Sequence, residues 1–240
     1  MPTNQPFSSS RLDDLKRFYD LLAMLEERLG GARRLSDCSG KMRWPKCGVY
    51  FFKEEGEVRA DTGKGSRIVR VGTHALKTGS KTKLWTRLKQ HKGITRTGGG
   101  NHRGSIFRKI VGAALFDRDN LNYPCWGKGD TASREVRISE LPLEKTVSAR
   151  IGGMPFLWLA IEDEAGPESL RGYIERNAIA LLSNWGKHPI DPPSSWLGCN
   201  SDREKVRSSG LWNSNHVNED YDPAFLDELA RLIDEMEIPA

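Results

Sequence analysis

The chain has 240 residues, 37% of them apolar and 29% charged, with 24 Gly and 12 Pro. That length supports one large domain or two small ones around a real core, and the composition excludes a disordered or collagen-like chain. Net charge is +5, and the four scattered cysteines, Cys38, Cys47, Cys125 and Cys199, form no Cys-x-x-Cys. A zinc cluster or disulfide framework is therefore not expected, and a reducing cytoplasm fits. The most membrane-like run, Phe156 to Ile161, is far shorter than the roughly 20 apolar residues a spanning helix needs, so no membrane association is expected. The first residues, through Arg17, hold no apolar stretch after a basic start, so no secretory signal is expected.

Residues 11–29 predict an amphipathic helix, with Leu12, Leu15, Phe18, Leu22, Leu25 and Leu29 at steps of three and four. Ser8, Ser9 and Ser10 offer N-caps, and Gly30-Gly31 ends it. Residues 31–47 read as irregular. Gly48 to Phe52 is a β-prone run, 53–66 a polar, Gly-rich excursion, and Arg67 to Gly72 alternates like a second strand. The two runs predict an antiparallel pair joined by a long hairpin loop. A helix is expected over 80–91, with Leu84, Trp85 and Leu88 on one face. A flexible Gly-rich stretch follows at 95–101, then a basic helix or helix–strand unit over 105–116. After a loop at 117–133, a short helix is expected from Pro142 to near Gly152, then a buried strand over 154–161. Gly166-Pro167 precedes a helix at about 168–183, with Ser169 or Pro167 at its start. Residues 184–216 read as a long structured loop whose Trp185, Trp196 and Trp212 pack rather than stack on bases. Asp222 with Pro223 opens a last acidic helix to about Met236.

Charge is strongly segregated. No Asp or Glu lies between Thr62 and Phe116, whereas thirteen Lys and Arg do. The tail from Val217 holds eight acidic residues against Arg231 alone. A molecule with one strongly positive side attracts a polyanion, and nucleic acid is the usual one in a cytoplasm. Several motifs drop out. Gly63-Lys64-Gly65-Ser66 lacks the upstream glycine of a phosphate loop, since Val58 stands there. His74, His91, His102, His188 and His216 lack metal-ligand spacing. Glu144-Lys145 and Glu204-Lys205 are adjacent pairs in expected helices, and both read as surface pairs.

One ordered set remains. Gly48-Val49-Tyr50 is followed by Arg70-Val71-Gly72, then by a helix carrying Arg87 and His91, and later by a helix with Glu175 and by Asn184. Arg and His four residues apart share one helix face. A planar guanidinium there binds two phosphate oxygens. A strand tyrosine is rigidly placed, and one carboxylate can hold a hard divalent cation with water and phosphate completing its shell.

This set resembles the GIY-YIG nuclease superfamily, closest to its type II restriction-endonuclease branch, over roughly residues 48–184. The resemblance implies an α+β fold, a small mixed or antiparallel sheet flanked by helices. Residues 1–47 would lead in, 48–184 would form the nuclease core, and 185–240 would wrap it within one domain. It also implies a metal-dependent DNA endonuclease using one divalent ion, Mg2+ or Mn2+, on double-stranded DNA. Glu175 would be the metal ligand, Tyr50 the general base or water-orienting group, and Arg87 the stabiliser of charge on the phosphorus. His91 would touch phosphate or aid proton transfer, Asn184 would support the metal site with Asn177 as its rival, and Gly72 would let the strand approach substrate.

The family's second tripeptide usually begins with tyrosine, whereas Arg70 stands here. That leaves Tyr50, or nearby His74, to handle the proton, and suits Arg70 to an electrostatic phosphate contact. Lys64, Arg67, Lys81, Lys83, Lys89, Lys92, Arg96, Arg103, Arg108 and Lys109 are expected to bind DNA, with base-specific contacts from Thr95–Arg108 and from 53–66. One site cuts one strand, so a restriction enzyme would act as a homodimer. A non-cleaving DNA binder of the same fold, a repair or mobile-element nuclease on branched DNA, and an RNA-directed function are the alternatives.

Overall fold

A computed structural model describes residues 8–237. The first helix, α1 (Ser8–Arg28), stops just ahead of Gly30-Gly31. Leu15, Phe18, Leu22 and Leu25 form its buried stripe, as the spacing predicts. The cap expected from Ser8, Ser9 or Ser10 lies outside the residues whose side chains are described. The stretch read as irregular contributes a two-residue strand, β1 (Arg33–Arg34), and a 3-10 turn at Leu35–Asp37.

β2 (Gly48–Val58) and β3 (Ser66–Gly72) make the expected antiparallel hairpin. β2 runs further than its apolar start suggests, so the connecting loop is confined to 59–65. Register shifts after Phe52 and Lys53 let the longer strand oppose the shorter one. β4 (Pro155–Ala160) pairs with β2 on its other side. The sheet order is β1-β4-β2-β3 and every pair is antiparallel, giving an α+β fold.

Alternation along β2 sends neighbouring side chains to opposite faces of the sheet. Phe51 meets Phe18 of α1, ring centroids 6.0 Å apart, while Phe52 meets Phe107 at 5.5 Å. Phe107 belongs to α3 (Ile106–Arg118), which follows α2 (Leu84–Lys92). Both faces are therefore covered, and Gly48 to Phe52 is buried throughout.

α4 (Arg134–Gly153) starts well before the expected position and runs straight through Pro142. Ser133 caps it, its Oγ accepting from the Val136 N–H at 3.4 Å. The buried residues Glu140, Leu143, Glu144, Val147 and Ile151 keep helical spacing across the proline, and that packing overrides the break. α5 (Leu170–Leu182) has Ser169 as N-cap. The stretch read as loop holds a 3-10 turn at Leu197–Asn200 and a short helix, α6 (Glu204–Ser209), before α7 (Phe225–Glu235).

This C-terminal segment is fastened to the sheet. Trp196 and Trp212 donate their indole N–H groups to Glu54 Oε2 at 2.8 and 3.0 Å, and Arg150 donates to Glu54 Oε1 at 2.7 Å. Both tryptophans are buried, as expected of packing residues. The outer edge of β3 is closed by Trp212, whose N–H donates to the Val69 carbonyl at 2.7 Å. Asn213 continues the closure by bonding both the N–H and the carbonyl of Val71.

Candidate active site

Gly48 and Gly72 are glycines for steric reasons. Gly72 pairs across the hairpin with Tyr50, and a Cβ there would lie 2.4 Å from the Tyr50 hydroxyl oxygen. A Cβ on Gly48 would lie 2.3 Å from the Leu159 carbonyl oxygen on β4. The room left by Gly72 is thus filled by the tyrosine ring, not by an approaching substrate as the sequence suggested.

Tyr50 is buried on the face covered by α2 and α3. Its hydroxyl lies 2.8 Å from His91 Nε2, and His91 Nδ1 lies 2.8 Å from Ser105 Oγ. α2 sets this arrangement, because Leu84, Leu88 and His91 form its buried face and Arg87 sits beside them, half-buried. Arg87 donates to Gln90 Oε1 at 3.0 Å. Arg70, opposite Phe52 on β3, places its guanidinium carbon 4.9 Å from the Phe107 ring centroid and donates to the Trp212 carbonyl. Its Nε–H is buried without a hydrogen bond.

Burial pushes the Tyr50 phenol above its ordinary proton affinity, and Arg70 and Arg87 pull it back. Burial lowers that of His91 well below the usual range, and Arg70, Arg87 and Arg108 deepen the shift, so the imidazole is neutral. Glu175 reaches the same group of charges from α5. Its Oε1 accepts from the Thr73 N–H at 3.1 Å, just beyond β3. Burial raises its proton affinity, while Arg70, His216 and Arg87 oppose the rise. Tyr50, Arg70, Arg87, His91 and Glu175 are thus electrostatically linked around the Gly72 end of the hairpin.

A half-buried carboxylate with one N–H bond on one oxygen has its other oxygen left to bind a cation. Glu175 lines a cleft of about 710 Å³ with Tyr173, Arg176, Lys77 and His216. Sequence reasoning missed His216, which has no motif context. Its backbone is left-handed (φ 61°), and its Nδ1 is 2.9 Å from Glu219 Oε1. Among the described residues no three His, Cys, Asp or Glu cluster as a metal site; Glu168, Glu175 and His216 are the metal-ligating types that line this cleft.

Other expected members lie elsewhere. Asn184 closes the loop after α5, bonding the Ile190 N–H and carbonyl and receiving Arg11. Its rival Asn177 is held by Asp222 and Tyr173. Neither amide hydrogen-bonds Glu175, because Asn184 is taken up by Ile190 and Arg11 and Asn177 by Tyr173 and Asp222. His74 sits 3.3 Å from the Lys46 carbonyl through Nε2. Burial first, then Arg171, lowers its proton affinity to about 4, so it is neutral near pH 7.

The basic set divides. Lys64, Lys81, Lys83, Lys89 and Arg96 are exposed. Arg67 is buried against Glu57 at 2.8 Å, Arg103 pairs with Glu140 at 2.6 Å, and Arg108 is fully buried on Glu144. Lys92 donates to the Ser36 and Cys38 carbonyls, and Lys109 to the Gly127 carbonyl at 2.5 Å. Arg67, Arg103 and Arg108 thus serve buried ion pairs, which corrects their assignment to a DNA surface, while Lys92 and Lys109 stay half-buried. Glu144 is likewise no surface residue, since it also accepts from the His102 N–H at 2.7 Å. Glu204 and Lys205 are exposed as expected.

A strand tyrosine, two arginines, a helix histidine and a carboxylate from α5 thus surround one end of the small antiparallel sheet. A family profile for the GIY-YIG domain matches residues 9–239. The chain belongs to the GIY-YIG domain family, a family of nucleases that act on DNA. Searches of curated proteins and of solved structures gave no match. Among the described residues no helix is long and apolar enough to cross a membrane.

Proposed function

We propose that this protein is a metal-dependent endonuclease cutting double-stranded DNA, of the restriction-like kind. The observation that carries the reading is geometric: Glu175 accepts from the Thr73 N–H, next to the Gly72 that stands opposite Tyr50, so the carboxylate and the Tyr50–His91 pair meet at one end of the hairpin. Tyr50 holds the attacking water through its hydroxyl, and its phenolate form takes the water's proton. Arg87, half-exposed, faces the phosphate and stabilises the charge that builds on it. Arg70 adds a second guanidinium, and its unpaired buried Nε–H is a donor suited to an anionic oxygen. Glu175 would hold a magnesium or manganese ion, which when bound would supply Lewis-acid polarisation of a phosphoryl oxygen. Exposed Lys81, Lys83, Lys89 and Arg96 line the duplex backbone. One site cuts one strand, so a double-strand break uses a homodimer or two sequential nicks.

The test is plasmid cleavage with magnesium. Loss of nicking in Glu175→Ala supports the reading, and unchanged cleavage by that variant ends the metal role of Glu175. Arg70 in place of a second phenol favours one other reading, a DNA binder that does not cut. Tight duplex binding with no cleavage over magnesium, manganese and cobalt would establish it.

A further inference from the structure

We infer that Ser105 is a positioning residue that fixes the tautomer of His91 and thereby sets how the Tyr50 hydroxyl is presented; this rests on the hydrolytic reading above. Tyr50, His91 and Ser105 form a buried file, each no more than 1% exposed. The two links are 2.8 Å each. Ser105 is also the N-cap of α3, where its Oγ accepts from the Arg108 N–H at 3.3 Å. A hydroxyl has one hydrogen to give. Among the described residues, the one group bonded to Ser105 Oγ that can take this hydrogen is His91 Nδ1, when that nitrogen carries none of its own.

With Ser105 O–H donating to Nδ1, the imidazole hydrogen sits on Nε2. From there it points at the Tyr50 oxygen. Charging the ring instead would place an imidazolium in a buried site near Arg70, Arg87 and Arg108. His91 thus acts as a neutral donor to Tyr50 and not as the acceptor of its proton. Tyr50 keeps its own O–H for a ligand outside the file, and its phenolate would retain the His91 donor. In the opposite tautomer, Nε2 would accept the Tyr50 proton and turn it inward. The helix cap orients Ser105, Ser105 orients His91, and His91 orients Tyr50.

The test is nitrogen-15 NMR of the full chain labelled on histidine, with His91→Gln assigning the His91 signals. In wild type the hydrogen is expected on Nε2. Ser105→Thr, which keeps hydroxyl and cap, is expected to preserve it. Ser105→Asp keeps the cap but offers Nδ1 only an acceptor, and is expected to move the hydrogen to Nδ1. Where wild type nicks plasmid, Ser105→Ala is expected to lower kcat about tenfold to a hundredfold with KM held, as loss of an orienting partner does. Ser105→Thr should restore the rate, which a purely structural role would not require. A hydrogen on Nδ1 in wild type overturns the inference, as does a Ser105→Ala enzyme with unchanged tautomer and rate. If wild type does not cut DNA, the hydrolytic reading fails, while the tautomer measurement still decides the role of Ser105.

Discussion

Gly72 stands opposite Tyr50 across the β2–β3 hairpin, and its missing side chain is the space in which the tyrosine ring lies. A Cβ would meet the hydroxyl oxygen at 2.4 Å and ring carbons at 2.5 and 2.7 Å, all in a fully packed site. Gly72→Ala is expected to cost about 1–3 kcal/mol, the usual range for overpacking. Because the ring itself is in the way, Tyr50→Phe should not restore stability in that background. Thermal or urea unfolding of the single and double variants checks both statements.

Tyr50→Phe alone removes only the oxygen. Its fold should survive, since one internal hydrogen bond is worth about 1 kcal/mol. Nicking should fall by about a hundredfold or more if the phenol handles the water's proton. Burial raises the proton affinity of this phenol, so its base form is scarce at neutral pH. A rate limited by that base therefore climbs with pH into the alkaline range, by up to about tenfold per unit. A profile that is flat from neutral upward would remove Tyr50 from the base role.

Glu175 offers a test independent of turnover. Burial raises the folded carboxyl above its ordinary value of 4.5. The native state then holds the proton more tightly than the unfolded chain does, so this stability is complete below that value and is lost as pH rises. Metal-free Glu175→Gln is expected to melt higher than wild type near neutral pH. The gap should close as the solution is acidified below the ordinary carboxylate range. The same variant should lose metal-dependent protection against melting and lose cleavage.

The division of the basic residues makes opposite predictions for neighbours in sequence. Alanine at Lys81, Lys83, Lys89 or Arg96 should leave the melt unchanged and weaken duplex binding. Removing one cation from the phosphate backbone should flatten the log–log salt dependence by about 0.9. Arg108→Ala should instead destabilise the fold by about 3–5 kcal/mol, because it leaves Glu144 buried without its charge partner. Binding titrations at several salt concentrations, alongside melts, separate the two groups.

Glu54 is the anchor of the C-terminal segment. Glu54→Ala orphans the Trp196 and Trp212 indole N–H groups, a loss on the order of 3 kcal/mol. Tryptophan fluorescence should report both rings loosening together.

The hairpin and α1 were legible because each depends on local spacing: alternation for strands, steps of three and four for helices, whereas Tyr50, Arg87, His91 and Glu175 stood out only through the order in which they resemble the GIY-YIG superfamily. What was not legible depends on partners far along the chain. The acid-free stretch looked like one continuous positive face, yet Arg67, Arg103 and Arg108 meet Glu57, Glu140 and Glu144, all outside that stretch. Linear charge cannot show such pairing. Pro142 signalled a helix start, but a buried stripe spaced across it carries the helix through. Asn184 looked like a site residue from its position after α5, whereas the turn to Ile190 takes its whole amide.

The carboxylate on β2 that receives two indoles also bears on any attempt to transplant this nuclease. A fragment ending at 184 would carry every residue named in the cleavage proposal, yet it would leave an acid in its interior with nothing but Arg150 to answer it, and the outer strand open along Val69 and Val71. Fusions built on this scaffold therefore need the whole stretch through α7, with new partners joined at its ends and not spliced into its middle.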